Sequence, residues 1–242
     1  MKIKHLIILC LASAFCLVSC FDPGEPSLIY TNLYGFGNVR GTWIQIDSEG
    51  QVHQITDDQT DGKWNTVERI FFCCDVLEAT DESTFQIRLK SYEPVTVLPA
   101  LFKSQADPDV YGSDAVAYYQ DWGMDPTKRT INMAAVTTSL KSSSTVHTVN
   151  LLFDDERSHK DTLFFELRHQ GFGESYENEE HTETEYQLDT RFLTFDLSQT
   201  IPSNAGSSIA IRIDWDWFET TNLDGLKRER KHEFITGRMP LQ

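Results

Sequence analysis

Residues 57–68 have the types and spacing of a calcium-binding loop. In "DDQTDG", Asp57 stands at position one, Asp61 at position five and a glycine at position six, and Glu68 follows at position twelve. Oxygen ligands at these spacings hold Ca²⁺ in an EF-hand, which makes these three carboxylates candidate metal ligands. Position three is the weak neutral ligand Gln59, and the flanking segments alternate like strands where an EF-hand needs helices. A hairpin turn at Asp61-Gly62 is the alternative interpretation.

A second candidate metal site lies in the acidic stretch "GFGESYENEEHTETEYQLD", residues 171–189. It carries many carboxylates and one histidine, with no Lys or Arg. In an extended chain His181, Glu183 and Glu185 would share one face and could hold a divalent cation. A solvated loop is the alternative, because runs of like charge are usually exposed.

A pair of carboxylates, Asp214 and Asp216, occurs in "IAIRIDWDWF". Two strand rises separate them by about 7 Å, which falls within the spacing used by inverting glycosidases. Alternation alone also produces such a pair on an exposed strand face, where Arg212 would balance the charge.

The same segment places Trp215 and Trp217 on the opposite strand face. An open face would make them a platform for stacking a sugar ring. They continue the stripe Ile209-Ile211-Ile213, however, which predicts that they belong to the core.

Signatures of several enzyme classes are incomplete or absent. "GFGNVR" at 35–40 has Arg40 in place of the last glycine of a dinucleotide fingerprint. "HEFIT" at 232–236 has Thr236 where a zinc protease needs its second histidine, and no G-x-S-x-G occurs. We therefore expect a protein that is not an enzyme and binds no cofactor.

The charge of the chain is strongly negative. It has 21 Lys and Arg against 37 Asp and Glu, a net charge of −16. Such a surface repels phosphates over a Debye length of about 8 Å, so nucleic acid is not an expected partner. The one basic cluster, "KRERKH" at 227–232, either protects an edge strand or contacts an acidic partner.

The N-terminal segment predicts export and lipidation. Lys2 and Lys4 precede an apolar run at 6–18 that would span roughly 20 Å as a helix, too short for a bilayer core of about 30 Å. It is therefore a signal segment. The following "LVSC" resembles the lipobox of bacterial lipoproteins, in which the Cys20 thiolate takes up a diacylglycerol. An ordinary secretory signal with an incidental Cys20 is the alternative.

Lipidation would determine where the protein works. A diacylglycerol and an N-acyl chain such as palmitate together hold a protein firmly on a membrane. We expect a mature chain that begins at Cys20 and lies at the outer membrane, facing the periplasm or the outside. The membrane would then be a partner through the anchor alone.

Cys73 and Cys74 are adjacent in "RIFFCCDVL". Neighbours in a strand point to opposite faces, so we interpret them as two small apolar residues, with a strained vicinal disulfide as the alternative. A zinc site is not indicated, because no second cysteine pair completes four ligands.

Period-two alternation recurs through the chain and predicts an all-β protein. The strands are too many for a single small sheet. The polar stretch "KSQADPDVYGSDA" divides them into a five-stranded barrel and a β-sandwich. The predicted organisation is a signal peptide at 1–19, a tether at 20–33, a barrel domain at 34–103, a linker at 104–115 and a sandwich domain at 116–242.

The order of segments resembles the NigD-like lipoprotein family. "HTVNL" at 147–151, "ELRH" at 166–169 and "FDL" at 195–197 are similar to its C-terminal β-sandwich. "RIFFCCDVL" and "TFQIRLKSYEPVTVL" resemble its OB-like N-terminal domain. The acidic stretch 171–189 and the paired cysteines depart from the family pattern. The resemblance implies no catalytic residues; the family takes its name from a bacteriocin gene cluster, where an immunity role was proposed.

Together these observations predict an all-β lipoprotein, an OB-like barrel followed by a β-sandwich after a lipoprotein signal peptide. We expect a membrane-anchored, non-catalytic binding module with a protein or glycan partner. Loops on rigid sheets usually carry recognition, so the contact surfaces are expected at 171–189 and 225–232. A bacteriocin immunity protein and a glycan-binding or glycan-processing accessory lipoprotein are the alternatives.

Overall fold

The computed structural model describes residues 28–47, 51–116, 118–125, 129–174, 176, 181–218 and 230–241. These residues form fourteen strands, with only short helical turns between them, so the all-β prediction is confirmed. The signal segment, Cys20 and most of the predicted tether lie outside the described residues. Among the described residues, no helix has the length and apolar character that a bilayer span requires.

The first five strands close into a barrel in the order β1-β2-β3-β5-β4. They are β1 (Tyr30–Arg40), β2 (Trp43–Ile46), β3 (Val52–Asp58), β4 (Arg69–Ala79) and β5 (Thr84–Pro94). β1 pairs antiparallel with both β2 and β4, whereas β3 and β5 are parallel. Buried apolar side chains fill the interior; they are Ile44, Trp64, Ile70, Phe72, Cys74, Val76, Ile87 and Leu89.

The remaining strands form the two sheets of a sandwich. The first sheet has the order β14-β13-β11-β10-β7 and the second the order β6-β12-β9-β8. The bounds are β6 (Thr96–Pro99), β7 (Leu101–Phe102), β8 (Tyr118–Asp125), β9 (Thr130–Leu140), β10 (Thr148–Phe153), β11 (Thr162–Gln170), β12 (Tyr186–Asp196), β13 (Ser208–Phe218) and β14 (Arg230–Pro240). The core between them includes Ile131, Leu151, Leu163, Phe165, Phe195, Ile211 and Ile213. The predicted β-sandwich is confirmed.

The segment "PVTVLPALF" contributes to both sheets of the sandwich. It divides at Ala100, so that β6 pairs with β12 in one sheet and β7 pairs with β10 in the other. Both strands fall inside the range 34–103 assigned from the sequence to the barrel, although their pairing is with the sandwich. The predicted linker contains a 3-10 turn (Lys103–Gln105) and a one-turn helix α1 (Pro108–Tyr111). The domain limits themselves remain a prediction.

The hairpin predicted at Asp61-Gly62 is wrong. Gly62 has a φ of 74° and leads into a 3-10 helix (Lys63–Thr66). The strand before this turn, β3, pairs with β5 instead of with β4, which follows the turn. The turn is therefore part of a crossover between parallel strands, where a two-residue hairpin cannot occur.

A buried polar network joins the barrel to the sandwich. Arg69 of β4, only 4% exposed, forms an ion pair with Asp47 of the barrel. Its Nε donates to Thr194 Oγ1 at 2.8 Å and its Nη2 donates to Asn132 Oδ1 at 2.8 Å, and both acceptors belong to the sandwich. Asn132 Nδ2 donates back to Asp47 Oδ2 at 2.6 Å. A fully paired guanidinium of this kind also fixes geometry, because its donors form a rigid fork.

An aromatic cluster lies beside this network. Phe36 and Phe71 on the barrel, with Val95, pack against Phe192 of β12. The rings of Phe71 and Phe192 are stacked, with centroids 3.8 Å apart and an angle of 10° between their planes. This contact explains why β4 is buried on both faces: its second face is covered by the sandwich.

Cys73 and Cys74 are buried and free, as their interpretation as small apolar residues predicts. Cys74 belongs to the barrel interior. Burial and the neighbouring Cys73 raise the pKa of its thiol to about 12, so it remains unreactive at neutral pH.

Candidate functional site

The outer surface of the five-stranded sheet carries charges of both signs, and we call it the charged face. Strand register places its members side by side, since Glu166 pairs with Asp214 and Asp216 pairs with His232. The face comprises Lys103, Asp154, Arg157, Glu166, Arg168, Arg212, Asp214, Asp216 and His232.

Asp214 is the buried centre of the charged face, with 4% of its surface exposed. Its Oδ1 accepts from Arg212 Nε at 2.6 Å and its Oδ2 accepts from Arg157 Nη2 at 3.0 Å. Guanidinium groups thus contact both of its oxygens. Arg212 balances the charge of Asp214, as the sequence suggests, but the predicted exposure of Asp214 is wrong, because Arg157 also covers its carboxylate.

Asp216 lies at the edge of the charged face and is more exposed. Its Oδ1 is 3.1 Å from His232 Nδ1 and its Oδ2 is 3.5 Å from Arg230 Nη1. The two carboxylates that the sequence suggested as a glycosidase pair therefore differ in environment. Each is already engaged by cationic or imidazole groups.

Lys103 connects two carboxylates of the charged face, those of Asp154 and Glu166. Its Nζ lies 3.0 Å from Asp154 Oδ2 and also donates to Glu166. Burial alone would lower the pKa of Lys103, but the hydrogen bonds to these two carboxylates outweigh it and raise the pKa. Burial likewise would raise the pKa of Glu166, and donation from Lys103 and Arg168 lowers it instead.

A cleft of about 160 Å³ opens at one end of the charged face. Ser113, Asp114, Glu166, Arg168 and Asp216 are among the residues that line it. Hydroxyl, carboxylate and guanidinium groups at such short range suit a polar ligand group.

Phe234 provides an apolar contact on the same face. It pairs with Asp214 in the strand register and is 48% exposed. The Arg212 guanidinium lies 3.8 Å from the centroid of its ring. An exposed aromatic ring beside buried charges is typical of a recognition surface.

Trp215 and Trp217 pack against the sandwich core, as the stripe of isoleucines predicts. Both are half-buried at its edge. Trp215 also borders the cleft at the end of the charged face, together with Asp214 and Asp216.

The carboxylates of the calcium-like loop have protein partners instead of a shared centre. Asp57 Oδ2 accepts from Arg88 Nε at 2.5 Å, and Asp61 Oδ1 accepts from the Tyr92 hydroxyl at 2.9 Å. Glu68 is exposed just before β4. Among the residues that the structure describes, no group of three or more His, Cys, Asp or Glu side chains is arranged to hold a metal ion.

The acidic stretch is folded at its C-terminal end. Glu183–Glu185 form a 3-10 turn in which Thr182 and Glu185 cap each other, so His181, Glu183 and Glu185 are not extended as the metal hypothesis assumed. His181 Nδ1 lies 3.6 Å from Glu185 Oε1. Tyr176 and Tyr186 are fully buried and anchor the stretch. Residue 175 and residues 177–180 lie outside the described residues.

A buried histidine pair was not identified from the sequence. His147 Nδ1 lies 3.1 Å from His169 Nε2, and His147 Nε2 lies 3.1 Å from Glu174 Oε2. At the other end His169 Nδ1 lies 3.3 Å from the Ala115 carbonyl oxygen. The only sequence signal is that both histidines fall in the segments "HTVNL" and "ELRH".

The two ends of this series of contacts are both acceptors, a carbonyl oxygen and a carboxylate, so the tautomers of the two rings determine which contacts are hydrogen bonds. Burial, with the nearby His147, lowers the pKa of His169 to about 4. Burial would raise the pKa of Glu174, but hydrogen bonds from Ser143, Thr145 and His147 lower it. The contacts of His147 with His169 and Glu174 connect β10, β11 and the start of the acidic stretch.

The sequence model of the NigD-like C-terminal beta sandwich domain matches residues 99–219, half of the chain. A comparison with curated proteins gives no match.

Solved structures show the same fold at low sequence identity. A candidate lipoprotein from Bacteroides fragilis has a TM-score of 0.58 at 14% identity, covering 87% of this chain and 99% of that one. A NigD-like immunity protein from Bacteroides caccae has a TM-score of 0.54 at 17% identity, covering 84% and 92%. A candidate toxin-related protein from Parabacteroides distasonis has a TM-score of 0.56 at 15% identity, covering 85% and 92%.

Proposed function

The chain belongs to the family of the NigD-like C-terminal beta sandwich domain, and from that premise we propose that it is a lipid-anchored envelope protein that binds a partner without catalysing a reaction. Two further proposals concern its organisation. The barrel is an OB-like domain, which its five strands and their order support. The anchor is Cys20, at an outer-membrane location.

The charged face is the observation that carries the binding role. Guanidinium groups donate hydrogen bonds to both carboxylate oxygens of Asp214. Lys103 and Arg168 form ion pairs with the carboxylate of Glu166. A catalytic acid or base needs a free position for its proton, whereas a recognition surface needs donors and acceptors held in place. The ion pairs hold the side chains of this face, and Phe234 provides an apolar contact beside them.

Site-specific photocrosslinking tests this surface. A photoreactive phenylalanine analogue at Phe234 should form an adduct in living cells. The same analogue at Val146, which is 72% exposed in the connection before β10, is the matched control and should form none. Adducts at both positions, or at neither, would contradict a contact through the charged face.

Fatty-acid labelling tests the anchor separately. The wild-type chain should incorporate labelled palmitate and fractionate with membranes, and Cys20→Ala should lose both properties. Cys73→Ala is the control, because that thiol is buried and should not affect labelling. Labelling that persisted in Cys20→Ala would refute lipidation at this residue.

Immunity to a bacteriocin is a second candidate function. It is supported by the shared fold of the Bacteroides caccae protein, which is described as a NigD-like immunity protein. Deleting the gene should sensitise the cell to a toxin produced by a neighbouring strain, and re-expression should restore resistance. Unchanged sensitivity to a panel of such strains would contradict the immunity function, whereas the proposal of partner binding would stand.

A further inference from the structure

A cavity of about 200 Å³ lies between the barrel and the second sheet of the sandwich, and we call it the junction cavity. Its walls come from β1, β2, β3 and β4 on one side and from β8 and β9 on the other. Ligand sites occur preferentially where two such units meet. A cavity of about 150 Å³ is enough to bind benzene, so this one has room for a single substituted ring.

The walls of the junction cavity suit a flat apolar ring. Tyr34, Phe36 and Phe72 contribute aromatic surface, and Met124 contributes a flexible thioether. Aromatic rings and a sulfur atom both favour contact with another ring. Two wall positions are glycine, and at one of them, Gly123, an added Cβ would meet nothing within 4 Å.

His53 is one of the polar residues that line the junction cavity, with Asp47, Gln51 and Asn132. Its side chain is 2% exposed, and the rings of Phe72 and Phe85 contact it edge-on at centroid distances of 6.1 and 5.6 Å. Burial lowers its pKa to about 4, so the imidazole is neutral at pH 7. Its Nδ1 has no hydrogen-bond partner within the described part of the chain.

The charge of the cavity wall excludes an ionic ligand. Asp47 also lines the cavity, but its carboxylate is neutralised by Arg69 and accepts from Asn132. A charged ligand would be desolvated without a counter-charge. A hydroxyl group fits better, because it can donate to or accept from an imidazole whichever nitrogen carries the proton.

From these features we propose that the junction cavity binds a phenol ring, with its hydroxyl hydrogen-bonded to His53. The ring belongs to a free phenol or to a tyrosine side chain of a polypeptide. The cavity shares no lining residue with the charged face, so the proposal does not depend on the proposed function.

NMR titration of the full mature chain tests the proposal, with p-cresol, toluene and a capped Ala-Tyr-Ala peptide as probes. p-Cresol should shift the Met124 methyl resonance and the His53 ring resonances. Toluene should bind about fivefold more weakly, the difference expected for one net hydrogen bond. Binding of the peptide assigns the ring to a polypeptide, and binding of p-cresol alone assigns it to a free phenol. The absence of p-cresol shifts at both residues would overturn the proposal.

Two variants distinguish the contribution of the ligand ring to binding from that of its hydroxyl group. His53→Phe keeps a flat ring and removes the hydrogen bond, so p-cresol and toluene should bind equally. Leu33→Trp, at a wall residue that is 38% exposed, should fill the opening and abolish both. Val97→Trp, on β6, is the control and should bind like the wild type. A preference for p-cresol that survived in His53→Phe would overturn the role of His53, even if Leu33→Trp failed to fold.

Discussion

Nε of Arg69 lies 2.8 Å from Oγ1 of Thr194, although 125 positions separate the two residues. The bond crosses from β4 of the barrel to β12 of the sandwich. Neither residue is distinctive in the sequence. Together with Asp47 and Asn132 they connect the two units through a buried polar network, so loss of one member should weaken the junction.

Replacement of Arg69 by methionine should lower the free energy of unfolding by about 3–5 kcal/mol, because it leaves Asp47 buried and unpaired. Thr194→Val removes one hydrogen bond and should cost about 1 kcal/mol. Urea denaturation measures both. If the unpaired Asp47 carboxylate causes this loss, the double variant Asp47→Leu/Arg69→Met should be more stable than Arg69→Met alone. Equal stability of the double variant and Arg69→Met would contradict this explanation.

The stacked rings of Phe71 and Phe192 should couple the unfolding of the two units. Phe192→Ala should cost about 2–4 kcal/mol, because it removes partly buried apolar surface and also the aromatic pair, which contributes roughly 0.5–1.5 kcal/mol beyond its buried area. Hydrogen exchange followed by mass spectrometry should then show β4 opening before β13. In the wild type both strands should open together, and an unchanged pattern in the variant would contradict coupling through this stack.

Stability should decrease as the pH falls from 6.5 toward 4. Burial lowers the pKa values of both His53 and His169 to about 4, from an ordinary value of 6.5. The unfolded chain therefore binds more protons in this range, and each histidine should cost about 1.4 kcal/mol per pH unit. Urea midpoints between pH 7 and pH 4.5 measure the slope. The difference between wild type and His53→Phe isolates one histidine, and identical slopes would contradict its lowered pKa.

Asp214 and Asp216 should respond differently to the same substitution. Asp214→Asn weakens two charge-assisted hydrogen bonds at a buried position and should cost about 1.5–3 kcal/mol. Asp216 is 39% exposed, so Asp216→Asn should change stability by less than about 0.5 kcal/mol. Thermal unfolding of the two variants provides the comparison, and equal effects would show that the buried ion pairs contribute little.

Gly37 should not tolerate a side chain. An alanine Cβ there would lie 2.3 Å from Ile44 Cγ2 and 2.9 Å from the Gln45 carbonyl oxygen. Overpacking of this kind costs about 1–3 kcal/mol, so Gly37→Ala should lower the melting temperature. Gly206, where a Cβ would meet nothing within 4 Å, is the control and should be unaffected by alanine.

Much of the strand content could be predicted from the sequence, because burial of one face imposes a period of two. Ile209, Ile211 and Ile213 are fully buried as that period requires. β1 and β8 were not predicted. In β1, Gly35 and Gly37 stand where apolar residues would mark a buried face, and at Gly37 the side chain of Ile44 lies too close to leave room for a Cβ.

The candidate site was harder to predict, since long-range pairing determines it. The sequence identified Asp214 and Asp216 but gave no sign that Arg157, in a distant turn, covers one of them. His147 and His169 look like ordinary strand residues until the antiparallel pairing of β10 and β11 brings them together. Local patterns predict strand faces, whereas contacts between strands depend on the register of the whole sheet.

The position of β1 determines how the protein would respond to a mechanical pull. A force applied through the N-terminal segment enters the barrel at Tyr30, and β1 is hydrogen-bonded to β4 along one edge and to β2 along the other. Pulling along the strand axis loads these bonds in shear, so that many must break at once instead of one after another. A pull on the N-terminal segment should therefore not easily detach β1 from the barrel.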